Sequence, residues 1–323
     1  MAQSLFMALK TAIPGCTIDV LAPGWSLPLL ARMPEVSKAI IMPLKHGQFG
    51  LIPRIRLGKQ LQADHYGQAI VLPNSWKSGL IPYFAKIPIR TGYLGELRWG
   101  LLNDIRKLDK SILTMTVQRF AALGLPKIAQ QTPDYQLPRL PTNNDGQETV
   151  IKKFSLKPTK KILTLCPGAE YGPAKRWPAG HFAEVAKQKL QQGWQVWLLG
   201  SEKDREASES INKLTSHRCH DFIGETTLIE AIDLLSLAHT VIANDSGLMH
   251  LSAALNKNVI AIYGSTPPEF APPLCDNAQT VSLNLRCSPC RKRVCPLYPI
   301  AHPSHTQCLT GIKPEQILEL IGD

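Results

Sequence analysis

The stretch from His239 to Leu255 admits few folds. His239 to Ala243 is an apolar run carrying Val241 and Ile242, the pattern of a buried strand. It halts at Asn244-Asp245-Ser246-Gly247, and Leu248, Leu251, Ala254 and Leu255 then fall on one helical face. A strand, a polar turn and a helix in direct succession make half of a βαβ unit. Such turns sit at the carboxyl edge of a parallel sheet, where open α/β folds bind ligands. Asp245 or Ser246 can cap the new helix, whose N-terminus favours an anionic group. An ordinary capped junction has the same appearance, so this turn alone weighs evenly between structure and site.

The same alternation runs through the chain. A helix opens at residues 2–10, followed by strands at Thr17–Leu21, Lys38–Met42, Gln68–Leu72 and Lys86–Arg90. Helical patterns cover Phe49–Leu61, the run from Asn74 or Ser75 toward Phe84, and Ser111–Leu123. In the second half the strands are Lys161–Cys166, Gln195–Leu199, Cys219–Phe222 and Val259–Tyr263, with helices at Ala179–Gln191, Arg205–Leu214 and Thr227–Leu237. This predicts an α/β protein of two doubly wound domains. The expected organisation is a first domain over 1–135, a linker over 136–160, a second domain over 161–311 and a C-terminal helix over 312–323. Asn143-Asn144-Asp145-Gly146 reads as loop within that linker. The start is unusual, because a doubly wound domain normally begins on its central strand and this sequence begins on a helix. A first strand looks missing.

Charge is unevenly placed. The chain carries a net +11, and residues 1–127 account for +10 of it. A basic half suits nucleic acid, an anionic membrane face or an anionic substrate. No nucleic-acid-binding signature accompanies it, so nucleic acid is disfavoured. No apolar run reaches transmembrane length and no secretory signal opens the chain, which suggests a cytoplasmic protein with its eight cysteines reduced.

Four successive strand ends of the second half carry small or polar loops: Pro167–Pro173, Gly200–Asp204, Asn244–Gly247 and Gly264–Pro267. Parallel strands bring such loops to one edge, where they describe a nucleotide-sized crevice. Backbone N–H groups at Ser246, Gly247, Ser265 and Thr266 are candidates to meet phosphates, and Lys175 and Arg176 add cations. A departing diphosphate needs that neutralisation. His250, one turn past Ser246, faces either the crevice or the core. The chain contains no G-x-G-x-x-G, no G-x-x-x-x-G-K-[ST] and no G-x-S-x-G, which disfavours nicotinamide enzymes, P-loop ATPases and α/β-hydrolases. Cys287-x-x-Cys290-x4-Cys295, followed by Cys308, gives four thiols in reach of a zinc reading, although the spacing is not that of a standard ribbon. Free thiols or a labile disulfide are the plainer alternative.

The runs Cys166-Pro-Gly-Ala-Glu-Tyr-Gly-Pro-Ala-Lys-Arg-Trp-Pro178 and Asn244-Asp-Ser-Gly-Leu-Met-His250 resemble the ADP-heptose:lipopolysaccharide heptosyltransferases of glycosyltransferase family 9. So do Met1-Ala-Gln-Ser-Leu-Phe6, Leu285–Cys290 and Cys295-Pro296, so the resemblance spans essentially the whole chain. It implies a GT-B fold, with two Rossmann-like domains facing across a cleft. It also implies inverting transfer of heptose from ADP-heptose to the inner-core heptose of lipopolysaccharide. By motif position Lys175 contacts the diphosphate. Asp245, Ser246, Gly247, Leu248 and His250 line the sugar and phosphate pocket, with Ala169 and Glu170 in the adjoining loop and Glu202 at the ribose. No cofactor is implied beyond ADP-heptose as donor substrate, and the lack of a D-x-D pair beside the crevice argues against a required metal. The lipopolysaccharide acceptor brings in the cytoplasmic face of the inner membrane, with peripheral contact there.

The family's proposed general base is the aspartate of a Gly-Asp turn just ahead of the residues matching Met1-Ala2-Gln3, and no residue of this sequence matches it. Asp19, Asp64 and Asp104 lie elsewhere. The expectation is weak or no transfer by the chain as it stands. The alternatives to an active transferase are a catalytically impaired nucleotide-sugar-binding remnant and a sister heptosyltransferase with another acceptor.

Overall fold

A computed structural model describes all residues except 46, 128–131, 301, 303 and 323. The last residue of the expected C-terminal helix therefore lies outside the described residues. The chain divides into two compact units, Met1–Gln136 and Leu137–Asp323.

In the first unit the strands are β1 (Asp19–Pro23), β2 (Lys38–Met42), β3 (Gln68–Ile70), β4 (Ile89–Tyr93) and β5 (Asp104–Arg106). The helices are α1 (Ala2–Ala12), α2 (Leu27–Leu30), α3 (Leu51–Gln60), α4 (Leu80–Phe84) and α5 (Thr116–Ala122). The strands form two sheets, β1-β2 and β3-β4-β5, with every pairing parallel. Leu21, Ile40 and Ala69, from β1, β2 and β3, pack on one cluster of Leu61, Ile81, Ala85 and Ile87. α1 packs against α5, burying Leu5 and Val117.

Several boundaries differ from the sequence reading. The strand expected at Lys86–Arg90 lies at Ile89–Tyr93. Lys86 takes a left-handed φ of 54° and its N–H bonds to Tyr83 O, so this residue closes α4 instead of opening a strand. The helix expected from Ser111 starts at Thr116, because Asp109 Oδ1 accepts from both the N–H and the hydroxyl of Ser111 and holds a turn there. The expected linker contains α6 (Asn144–Lys153). Asn143 is its N-cap, accepting from Gly146 N–H at 3.1 Å, so Asn-Asn-Asp-Gly begins a helix. A side chain at Gly146 would meet the Asp233 carboxylate.

The second unit holds one six-stranded parallel sheet. Its strands are β6 (Ile162–Cys166), β7 (Gln195–Leu198), β8 (His220–Asp221), β9 (Thr240–Asn244), β10 (Asn258–Ile262) and β11 (Ala278–Val281), in the order β11-β10-β9-β6-β7-β8. The remaining helices are α7 (Ala179–Gln191), α8 (Arg205–Leu214), α9 (Leu228–Leu237), α10 (Gly247–Ala254), α11 (Gln307–Thr310) and α12 (Pro314–Ile321). Every residue of β6 and β9 is buried, which explains their continuous apolar runs. The core gathers Leu163, Leu165, Trp177, Phe182, Val185, Val196, Ile242 and Ile260. β6 pairs with β7 on one side and β9 on the other, so the winding reverses at β6. The loops after β6 and β9 flank this switch point, where open α/β sheets bind ligands.

Candidate functional site

Asn244, the last residue of β9, is fully buried and fastens two of the loops together. Its Nδ2 donates to Pro167 O at 2.7 Å, and its Oδ1 accepts from Trp177 N–H at 3.0 Å. Trp177, itself buried, donates Nε1–H to Ile312 O. The chain from Pro167 to Trp177 is therefore held at both ends against β9. Between those ends lies Lys175.

Lys175 Nζ stands 2.5 Å from Asp245 Oδ2, and the two side chains are only 12% and 10% exposed. The Thr266 hydroxyl donates to the same oxygen at 2.6 Å. The loops after β6, β9 and β10 thus meet at one carboxylate. The Lys175 ammonium also lies 4.9 Å from the centre of the Tyr171 ring, a cation–π contact. His250 stands near enough to feel both Asp245 and Lys175; burial dominates and pushes its imidazole down to about 4, so it is neutral at pH 7.

The fourth loop joins through Asp204. Its buried carboxylate accepts from the N–H and hydroxyl of Ser201 at 3.0 and 2.9 Å and lies 3.7 Å from Arg176. A side chain at Gly168 would strike this carboxylate, so the loop after β6 needs glycine there. Ala169 is buried beside it. Glu170 is exposed and pairs with Lys203, and Glu202 is exposed and pairs with Arg205 at 2.7 Å.

Not every expected atom is open to a ligand. The Ser265 N–H is spent on Ala174 O, at 3.4 Å, so it is not among the free phosphate donors. Ser246 occupies the N-cap of α10, but its side chain makes no cap bond; Ser246 Oγ and Ser265 Oγ are buried without a partner. Asp245 does not cap α10 either, since its carboxylate is committed to Lys175 and Thr266. Gly247 and Leu248 form the first turn of α10.

Sequence reasoning named Asn244 and Thr266 as loop residues but missed what their side chains bond, and it missed a third contributor altogether. Asn244 and Thr266 act across separations of 77 and 21 residues, which no local pattern reveals. The third is the segment holding the cysteines. Arg291 N–H bonds to Ser265 O, the Ser288 hydroxyl donates to Gly264 O, and Arg293 O accepts from Ala174 N–H. Arg293 also lies over the Tyr171 ring at 5.4 Å. Gly172, at φ 152°, lets this backbone approach, since a Cβ would meet Arg293 O.

All eight cysteines are free. Burial, with the three neighbouring thiols of Cys287, Cys290 and Cys295, pushes Cys308 up to about 11. Burial also pushes Cys295 up, but N–H groups of Thr306, Leu297 and Tyr298 outweigh it and leave that thiol below the ordinary range. Among the described residues no three His, Cys, Asp or Glu side chains are gathered as a metal site requires. The zinc reading of Cys287, Cys290, Cys295 and Cys308 therefore gains no geometry here.

Comparison with known proteins identifies the family. The family model for glycosyltransferase family 9 (heptosyltransferase) matches residues 54–301. Lipopolysaccharide heptosyltransferase 2 of Escherichia coli K12 is 43% identical over 328 residues, covering 99% of this chain and 92% of that protein. Lipooligosaccharide heptosyltransferase 2 of Haemophilus influenzae is 47% identical over 294 residues, covering 88% and 84%. The solved structure of E. coli ADP-heptose lps heptosyltransferase II superposes with a TM-score of 0.85 at 40% identity, covering 99% of this chain and 92% of that one. The two units have the Rossmann-like character of the GT-B glycosyltransferases. The chain belongs to glycosyltransferase family 9, the heptosyltransferases.

Proposed function

We propose that this heptosyltransferase takes heptose from ADP-heptose and transfers it to the inner-core heptose of lipopolysaccharide, with the donor held by the strand-end loops of the second unit. The observation that carries the donor assignment is the meeting of Lys175, Asp245 and Thr266 at the carboxyl edge of β6, β9 and β10. Lys175 supplies the one compact cation at that point and takes the diphosphate, whose negative charge grows as the glycosidic bond breaks. The N-terminus of α10, with Ser246 and Gly247, adds a partial positive charge from the other side.

Asp245 Oδ2 is taken by Lys175 and Thr266. Its Oδ1 has no partner among the described residues and is the natural acceptor for a heptose hydroxyl. His250, neutral at pH 7, offers a hydrogen bond to the sugar without adding charge. Leu248 gives the sugar an apolar wall, and Glu202 in the loop after β7 accepts from the ribose hydroxyls. Ala169 and Glu170, in the loop after β6, complete the donor side. The basic first unit suits an acceptor rich in phosphates and carboxylates at a membrane face. No helix among the described residues is long and apolar enough to cross a membrane, so that contact is peripheral.

The test incubates the purified chain with ADP-heptose and an inner-core acceptor bearing one heptose, and follows acceptor mass and ADP release. Whatever turnover occurs should add one heptose per acceptor and release equimolar ADP. ADP-heptose that neither binds nor turns over would overturn the proposal.

A further inference from the structure

The first unit displays apolar side chains that its own fold does not cover. Ile52 is 70% exposed, Phe49 50% and Trp76 40%, and Leu51 joins them. Phe49 and Trp76 lie side by side, ring centroids 6.3 Å apart and planes within 14°. Phe49 follows β2 and Trp76 follows β3, so two strand-end loops meet here.

The display is held in place from beneath. Arg54 is buried and spends its guanidinium on backbone: Nε to Phe49 O at 2.7 Å, Nη1 to Lys77 O at 3.2 Å, Nη2 to Gln48 O at 3.4 Å. Lys77 Nζ donates to Gly47 O and Gln48 O, both at 3.1 Å. The two loops are stitched together through main-chain carbonyls, so the rings cannot easily fold inward. A fixed, exposed cluster of this kind is what interaction surfaces present.

Charge identifies the occupant. From residue 36 to residue 95 the chain has a single acid, Asp64, and, besides the buried Arg54, seven cations: Lys38, Lys45, Arg56, Lys59, Lys77, Lys86 and Arg90. That one acid is paired with Lys38. Glu96, just beyond, accepts the Trp76 N–H. Aromatic and branched aliphatic side chains exposed on so acid-poor and cation-rich a stretch of chain match the interface of an anionic bilayer, where rings sit at headgroup depth and cations meet phosphates.

We propose that Phe49, Leu51, Ile52 and Trp76 form the surface by which this chain docks on an anionic lipid membrane. This rests on the peripheral membrane contact proposed above and names the side chains that make it.

The test is co-sedimentation of the full chain with vesicles of phosphatidylglycerol and phosphatidylethanolamine, and with vesicles of phosphatidylcholine alone. The wild-type chain is expected to bind the anionic vesicles and to bind neutral ones at least about tenfold more weakly. Ile52→Glu and Phe49→Ser should each lower binding to anionic vesicles by about tenfold or more. Ile52 lies in the first turn of α3, where an acid suits the helix dipole, so the variant should fold; an unchanged melting temperature and unchanged ADP binding establish that. A chain that binds no vesicles refutes the membrane contact and the surface together. Full binding by both folded variants refutes this surface while leaving membrane contact standing. A lipid-free dimer that Ile52→Glu dissociates would assign the patch to a second copy and overturn the proposal.

Discussion

Replacing Lys175 by Met should cost stability and donor affinity for one reason, the loss of the cation at Asp245. The two side chains are 2.5 Å apart and about nine-tenths buried. Removing one partner of a buried pair strands the other charge, typically at a cost of about 3–5 kcal/mol. Here Thr266 still donates to Asp245 Oδ2, so roughly 2–4 kcal/mol is expected. Adding Asp245→Asn removes the stranded charge and should recover most of the loss, leaving the double variant within about 1 kcal/mol of wild type. Urea denaturation of wild type, both single variants and the double variant measures the coupling, expected at about 2–3 kcal/mol. Melting temperature should follow at roughly 2–4 °C per kcal/mol. Additive single losses, or a Lys175→Met variant as stable as wild type, would refute the reasoning: the pair would then behave as a solvent-screened surface contact.

Three further outcomes follow from the same loops. Asn244→Ala should destabilise by about 2–4 kcal/mol, since it orphans the buried Pro167 carbonyl and Trp177 N–H together; urea denaturation checks this. Gly168→Ala should cost at least about 2 kcal/mol by driving a methyl into the Asp204 carboxylate, read as a lowered melting temperature. His250 has its folded pKa at about 4, below the unfolded 6.5, so the unfolded chain binds the proton first as pH falls. Its contribution is complete above pH 6.5 and is lost between pH 6.5 and 4, at most about 3 kcal/mol, and His250→Gln should flatten that part of the stability–pH curve.

The second unit was the more legible half, for a physical reason. Its strands are buried on both faces and read as unbroken apolar runs, and α7 and α8 lie at Ala179–Gln191 and Arg205–Leu214 as their periodicity predicts. The first unit has short, half-exposed strands. β5, Asp-Ile-Arg, carries no strand pattern at all; it forms because Thr91, Gly92 and Tyr93 of β4 pair with it. Asn143–Gly146 misled because the same residues serve turns and helix starts, and only the Gly146 bond to Asn143 decides between them.

At the site, Lys175 and Asp245 were legible as residue types in strand-end loops, and their pairing was not, since it spans 70 residues. The seating of Arg291 and Arg293 on the loops after β6 and β10 was equally hidden. Their segment has no periodic pattern, and its position is set by backbone bonds to distant strands. Buried hydroxyls without a partner at Ser246 and Ser265 could not be foreseen either, because such burial is a property of the folded neighbourhood.

The central claim, that Lys175 meets the donor's diphosphate, is tested most directly by calorimetric titration of ADP and of adenosine into wild type and Lys175→Met. ADP affinity should fall by about tenfold or more in the variant while adenosine affinity stays the same, because only the diphosphate loses its charged partner. Equal ADP affinity in a folded Lys175→Met chain, or an equal loss for adenosine, would contradict the account.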